Sequence, residues 1–317
     1  MHLELIRLEE TFNASILTKI DDPLLAQYQI ELWIKRDDLL HPVISGNKWR
    51  KLKYIIDHAL SLRVDTLVSM GGAYSNHLHA LAFVGKVLGL KTIGLVRGEQ
   101  PEILTPTLQD VKNWGMELKF VSRSDYRQLR QYKEWQAPHQ LPADQRHTHH
   151  PWQCLAGLKP RQYWVPEGGA QTLALKGVTE LVDEIGIPYD TICMPCGTGT
   201  TLAGIIEAAP QHVSVLGFAA FKNAAYLRSE VGAVLSQSRN DWQINLDYHF
   251  GGFAKTNAEL SAFIEDFELK TTIPLDPVYT GKMMYAVYDL IQKHYFKPGE
   301  RIIAVHTGGL QGRRGFG

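Results

Sequence analysis

A chain of 317 residues, 44% of them hydrophobic, is long enough for one large or two ordinary domains with a sizeable core. Lys plus Arg and Asp plus Glu both number 33, so the formal charge is zero, without the basic excess of a nucleic-acid-binding surface. No apolar run is long enough for a membrane span, the opening "MHLELIRLEE" has no signal-peptide core, and three cysteines suit a reducing compartment. The expectation is a cytoplasmic protein with no nucleic-acid and no membrane partner.

The first strong element is a strand in "QIELWIKRDD". After it, "SGNKWRKL", Ser45 to Leu52, opens a helix. At the helical step Lys48, Leu52, Ile55 and Ala59 share one face, and Arg50, Lys53 and Asp57 share the other, expected to be solvated. Lys48 therefore heads the apolar stripe. The positive end of the helix dipole and burial both disfavour an ammonium there, and the neutral amine is a nucleophile and a base. The plainer reading is a lysine that snorkels to water.

Strands and helices then alternate. "DTLVSM" is a strand, "SNHLHALAFVGKVLG" a helix, "KTIGLV" a strand, "ILTPTLQDVKNWG" a helix and "LKFVS" a strand. The stretch from Tyr126 to Gln153 is poor in aliphatics and reads as a helix followed by an exposed loop. His147, His149 and His150 in that loop are read as solvated, not as metal ligands. Next come a strand and loop in "QYWVPEGGA", a helix in "LALKGVTELVDEIG" stopped at Gly186, and the strand "TICMPC". The helix "TLAGIIEAAP" is stopped by Pro210, and the strand "VSVLGFAA" follows. Helices in "AAYLRSEVGAVLSQS" and "GKMMYAVYDLIQKHYF" precede the last strand, "RIIAVHTGG". Apolar strands separated by helices define two open, mostly parallel sheets covered on both faces. The expected division is a larger lobe of residues 1–50 and 162–317 and a smaller lobe of residues 51–161.

Ligands in such sheets bind beyond the carboxyl ends of the strands. Three strands end in glycine-rich turns. In "SMGGAYSNHLHALA", Ser75 is a candidate N-cap, and the helix start offers free N–H groups to a carboxylate. In "PCGTGTTLAG", glycines bring backbone amides close to a phosphate, and Thr198, Thr200 and Thr201 add hydroxyls. This turn lacks the Gly-Lys-Ser/Thr ending of a nucleotide loop and the acidic partner of a dinucleotide fold. The third turn is "AVHTGGLQG", with Thr307 beside Gly308 and Gly309. Tyr279, before a helix in "DPVYTGKMMYAV", offers a ring for stacking. The pair Cys193 and Cys196 is read as buried apolar residues in preference to a redox pair, and no second ligand pair stands ready for zinc. A neutral-prone lysine, a phosphate seat, an anion-binding helix start and a stacking ring are the parts that pyridoxal phosphate requires.

At these residues the chain resembles the D-cysteine desulfhydrase/1-aminocyclopropane-1-carboxylate (ACC) deaminase family of tryptophan-synthase-β-like pyridoxal-phosphate enzymes, over nearly its whole length and in order. That resemblance implies the fold-type-II architecture, with the cofactor between the lobes, and a homodimer. "KRDDLLHPVISGNKWRKL" matches the segment of the Schiff-base lysine, which makes Lys48 that lysine and Lys51 a second lysine near the phosphate. "GGAYSNHLHALA" places Ser75 over the cofactor near the substrate and Asn76 against the ring's phenolic oxygen, with His77 beside them. "CGTGTTLAG" implies a phosphate loop of Cys196, Gly197, Thr198, Gly199, Thr200 and Thr201. "DPVYTGKMM" makes Tyr279 the stacking ring, with Thr280 and Thr307 also at the cofactor.

ACC deaminases typically read Tyr-Glu-Gly-Lys where this chain has Tyr279-Thr280-Gly281-Lys282, and His-Leu-Gly-Gly where it has His306-Thr307-Gly308-Gly309. Both differences are shared with D-cysteine desulfhydrases. A threonine in place of the glutamate implies a weaker electron sink, which suits β-elimination of a small amino acid. The expected products from D-cysteine are pyruvate, sulfide and ammonia. Phe253, in "GGFAKTN", stands where the family often has a tyrosine near the substrate. ACC deamination, or an altered homologue that only binds cofactor or amino acid, are the alternatives.

Overall fold

The computed structural model describes residues 1–132, 161–236 and 241–316, so His147, His149 and His150 lie outside the described residues. The strands are β1 Leu17–Lys19, β2 Glu31–Lys35, β3 Thr66–Gly71, β4 Lys91–Arg97, β5 Glu117–Val121, β6 Gln162–Val165, β7 Thr191–Cys196, β8 Ser214–Ala219, β9 Trp242–Asn245 and β10 Arg301–Val305. The helices are α1 Leu3–Glu9, α2 Pro23–Gln27, α3 Asn47–Ser61, α4 Asn76–Leu88, α5 Pro106–Asn113, α6 Arg123–Leu129, α7 Leu173–Asp183, α8 Thr200–Ala208, α9 Leu227–Gly232, α10 Ala258–Thr271 and α11 Thr280–Gln292. Among the described residues, no helix is long and apolar enough to cross a membrane.

Two sheets form. The larger has six strands in the order β1-β2-β10-β7-β8-β9, parallel except for β1. The smaller has four parallel strands in the order β5-β4-β3-β6. Every residue of β3 and β7 is buried, as expected of parallel strands with both faces covered. One correction concerns β6. Gln162–Val165, expected in the larger lobe, pairs with β3 at the edge of the smaller sheet.

Local signals set several boundaries. Ser75 caps α4 by accepting from the Leu78 amide at 3.2 Å. α8 ends at Ala208, and its cap Ala209 is extended because Pro210 follows. α7 stops at Asp183, short of Gly186, with Glu184 at its cap. The Glu184 carboxylate is drawn away to Lys35, at 2.7 Å, and to Arg50.

The polar face of α3 is not solvated. Arg50 is 4% and Lys53 7% exposed. Arg50 pairs with Asp37 and Glu184, and Lys53 with Glu9 and Glu180. The crossing with α7 is tight: a β-carbon on Gly177 would stand 1.9 Å from the Arg50 carbonyl oxygen. Helical period marks a polar face, but acids brought by α7 and the loop after β2 turn that face inward.

The two cysteines of the C-x-x-C are free and buried. Cys193 packs with Leu216 and Phe218, whereas Cys196 packs with Leu202 and Val215 on the other side of the sheet. Three residues apart on a strand, they face opposite ways. Burial raises both thiols, Cys196 to about 12. A redox pair is excluded by direction alone.

Candidate active site

The expected residues gather where α3, α4, α8 and α11 begin. Lys48 is half-buried in the first turn of α3. Its amine donates to Asn47 Oδ1 at 2.9 Å, and Asn47 Nδ2 donates to Thr201 Oγ1 at 3.0 Å. Lys48 is thereby tied to the glycine-threonine turn through a neighbour that motif reading passed over. Burial lowers the Lys48 amine to about 8, with Asp276 opposing. In the cofactor-free protein an amine-acylating reagent should therefore half-label Lys48 near pH 8, well below the pH that surface lysines require. Peptide mass spectrometry checks this, and labelling of Lys48 only in step with surface lysines would refute it. The linkage has a definite sign. Between about pH 8 and 10.5 the unfolded chain binds this proton and the fold does not, so Lys48 adds stability as pH rises across that window.

Lys51 is 2% exposed, and burial, helped by Lys48, holds its amine well below the usual lysine value. Among the described residues no hydrogen-bond acceptor is in reach of it. Gly168 lies opposite: a β-carbon there would be 3.1 Å from Thr198 Cγ2 and 3.8 Å from Lys51 Nζ. Gly168, Thr198 and Lys51 thus wall a seat around a buried amine. Thr198 and Thr200 hydroxyls stand 3.1 Å apart beside it, and Gly199 and Thr201 complete the turn into α8. Cys196 contributes main chain only, since its thiol points into the core.

Ser75 is half-buried, and its oxygen is engaged as the cap, which leaves the hydroxyl proton to donate. Gln311 Nε2 donates to Asn76 Oδ1 at 3.0 Å, leaving the Asn76 amide protons free for an acceptor. His77 is 3% exposed, and its Nε2 meets Ser69 Oγ at 2.8 Å. Ser69 gives its proton to the Val165 carbonyl, so His77 must be the donor, and its Nδ1 carries the lone pair. Burial, with Lys51 and Lys48 nearby, keeps this imidazole neutral.

The Tyr279 ring lies over Gly197, where a β-carbon would sit 3.4 Å from Tyr279 Cε1. Phe253 is 53% exposed and meets Tyr279 edge-on, with centroids 6.1 Å apart. Thr280 departs from expectation. It is 0% exposed, and its hydroxyl donates to Asp276 Oδ2 at 2.8 Å and accepts from the Asp276 amide at 2.9 Å. A side chain so enclosed is directed at Asp276, not at a ligand. Asp276 in turn accepts from the amides of Val278, Tyr279 and Thr280, fixing the first turn of α11.

Thr307 is buried, and its carbonyl accepts from the Asn47 amide at 3.3 Å. His306 Nε2 donates to the Pro274 carbonyl at 2.7 Å, and its Nδ1 accepts from the Gly308 amide at 3.2 Å. The turn rests on Gly46, which has φ +65° and would put a β-carbon 1.9 Å from the Thr307 carbonyl oxygen. Gly46→Ala should displace either this turn or the start of α3. The backbone strain alone costs about 1–3 kcal/mol. A variant with unchanged Tm and unchanged cofactor occupancy would refute that.

Comparisons with known proteins place the chain in a family. The family model of the pyridoxal-phosphate dependent enzymes matches residues 19–308, and the chain belongs to that family. A Pyrococcus horikoshii protein named putative 1-aminocyclopropane-1-carboxylate deaminase is 31% identical over 301 residues, covering 90% of this chain and 87% of its own. The bifunctional D-cysteine desulfhydrase/1-aminocyclopropane-1-carboxylate deaminase of Arabidopsis thaliana is 29% identical over 308 residues, covering 89% and 73%. A solved structure described as an ACC deaminase homologue superposes with TM-score 0.75 at 26% identity, covering 98% of this chain and 96% of that one.

The cofactor is pyridoxal 5'-phosphate, and the residues fit it. A buried lysine without an anion beside a glycine-walled seat suits a phosphate, and a neutral-prone amine suits an aldehyde. Bound there, the cofactor supplies that aldehyde and an electron sink.

Proposed function

We propose that this protein is a pyridoxal-phosphate-dependent lyase that removes the β-substituent of a small amino acid, with D-cysteine giving pyruvate, sulfide and ammonia. The observation that carries the reading is Lys48. Its amine is lowered to about 8, is fixed by Asn47, and stands beside the Lys51–Gly168–Thr198 seat. In this role Lys48 carries the cofactor and, once freed, takes the α-proton as general base. Lys51 and the Gly197–Thr201 turn hold the phosphate, and Asn76 donates to the ring's phenolic oxygen. The Ser75 hydroxyl donates to the substrate carboxylate, and Tyr279 covers the ring.

The choice of D-cysteine rests on the start of α11. No glutamate follows Tyr279, and the Thr280 proton is held by Asp276. A ring without an ionised partner is a weaker electron sink, which favours a substrate with a good leaving group, such as thiolate, over an unactivated cyclopropane. ACC deamination is the second reading, favoured by the names that several relatives carry.

Pyruvate and ammonia release from D-cysteine, L-cysteine, D-serine and ACC by the cofactor-loaded protein decides between them. Release from D-cysteine well above the other three is expected. Ammonia from ACC at a matching rate would favour the deaminase. No turnover of any of the four by yellow protein would sink both and leave a binding role.

A further inference from the structure

The motif after Tyr279 ends in a lysine that the chemistry above does not use. Lys282 is 2% exposed, in the first turn of α11. Among the described residues its ammonium pairs with no carboxylate. It donates instead to three main-chain carbonyls: Gly252 at 2.8 Å, His249 at 2.9 Å and Ala220 at 3.1 Å. Three acceptors require three N–H donors, which the ammonium has and the neutral amine lacks. Burial lowers the group to about 8, and Asp276 favours its charged form.

The three carbonyls come from segments that need joining. Ala220 follows β8, and its amide donates to the Cys196 carbonyl at 3.1 Å, where the phosphate turn begins. His249 and Gly252 belong to a loop with positive φ at Phe250, Gly251, Gly252 and Ala254, which presents Phe253 to Tyr279. Within the loop the Gly252 amide donates to the His249 carbonyl at 3.0 Å and the Lys255 amide to the Gly252 carbonyl at 3.2 Å, so both carbonyls also close its turns. Inward-pointing carbonyls around one cation are the arrangement that holds a monovalent ion in a protein.

We propose that Lys282 is a positioning residue that serves as a tethered monovalent cation, its ammonium filling a cage of three carbonyls that locks the Phe253 loop against Tyr279 and the phosphate turn. Without the tether, the cage should accept a free cation of similar size. Lys282 would then act on the site without touching substrate, whichever amino acid is turned over.

The test is Lys282→Ala, compared with wild type in ammonium chloride, potassium chloride and tetramethylammonium chloride at equal ionic strength. Thermal unfolding of the cofactor-free proteins is the primary readout. The variant's Tm should fall by roughly 5–10 °C in tetramethylammonium, which is too bulky and has no N–H, and recover most of that loss in ammonium or potassium. Wild type should not distinguish the three salts. In the loaded enzyme, KM for the amino acid should rise more than kcat falls, and the same salts should restore it. A loss equal in all three salts would overturn the proposal. Where Lys282→Ala yields no folded protein, Lys282→Met keeps the length and bulk of the side chain. Wild-type Tm and resistance to proteolysis at residues 249–256 in that variant would overturn it, and faster cleavage there would support it. Failure of both variants to fold even in ammonium buffer would also overturn it, since a free cation then could not stand in.

Discussion

Lys48→Ala is expected to lower turnover of any amino-acid substrate by about 1,000-fold or more while leaving the fold intact. Both halves follow from its surroundings. The amine is the group that must join the cofactor and then move the α-proton, and the other described amine at the seat is directed elsewhere. Lys51 is turned to Gly168 and Thr198. Among the described residues, Lys48 makes one side-chain hydrogen bond, to Asn47 Oδ1, and no ion pair. The lost interaction is therefore worth about 1 kcal/mol at most, and relief of burying a lysine offsets part of it. Steady-state assay, the visible absorption of the loaded protein and thermal unfolding measure these separately. A variant that keeps wild-type colour and rate would remove Lys48 from the chemistry. One that fails to fold would show that the amine is structural.

The largest expected loss of stability lies two residues away, on the opposite face of α3. Arg50→Met should cost about 3–5 kcal/mol, because it strands a buried acid. The Asp37 side chain is 0% exposed and holds the Arg50 guanidinium at 3.1 Å. Without Arg50, a Ser15 hydroxyl at 2.5 Å remains to it. Glu184, 40% exposed on its side chain, can turn to water and keeps Lys35, so its loss is smaller. The expected fall in Tm is roughly 10 °C. Lys53→Met is the control. Its partners Glu9 and Glu180 are 27% and 30% exposed on their side chains and can turn to water once Lys53 is gone, so the loss should be about 1 kcal/mol. Denaturant midpoints that fall equally for the two variants would show that desolvation of Asp37 is not the cause.

Alternating strands and helices made the two parallel sheets legible, because fully buried strands such as β3 and β7 carry no alternation of apolar and charged residues. The short elements were not. β1 has three residues and β9 four, too few for a period, and they are held by their neighbours in the sheet. α10 carries legible signals in Asn257 as its cap and in Leu260, Ile264 and Phe267 on one face.

At the site, glycine and threonine turns after strands pointed to the right places, since ligand seats form at strand ends. What pattern could not show was who satisfies whom. Asn47, Gln311, Asp276 and Lys282 are ordinary polar residues in sequence, and their work appears only with partners up to 235 positions away. Thr280 shows the reverse. Its motif position suggested a ligand contact, but a carboxylate four residues earlier takes its hydroxyl.

The position of β10 has a consequence for synthesis. The strands of the smaller sheet are contiguous in the chain and have all been made by residue 165. The larger sheet cannot close then, because its inner strand β10, residues 301–305, lies between β2 and β7. A nascent chain on the ribosome thus carries a pairable small sheet while β2, already made, waits beside an empty slot. The turn that seats Gly46 and the amide that orients Asn76 arrive with the final segment, so a polypeptide released early would hold Lys48 but have no finished site around it.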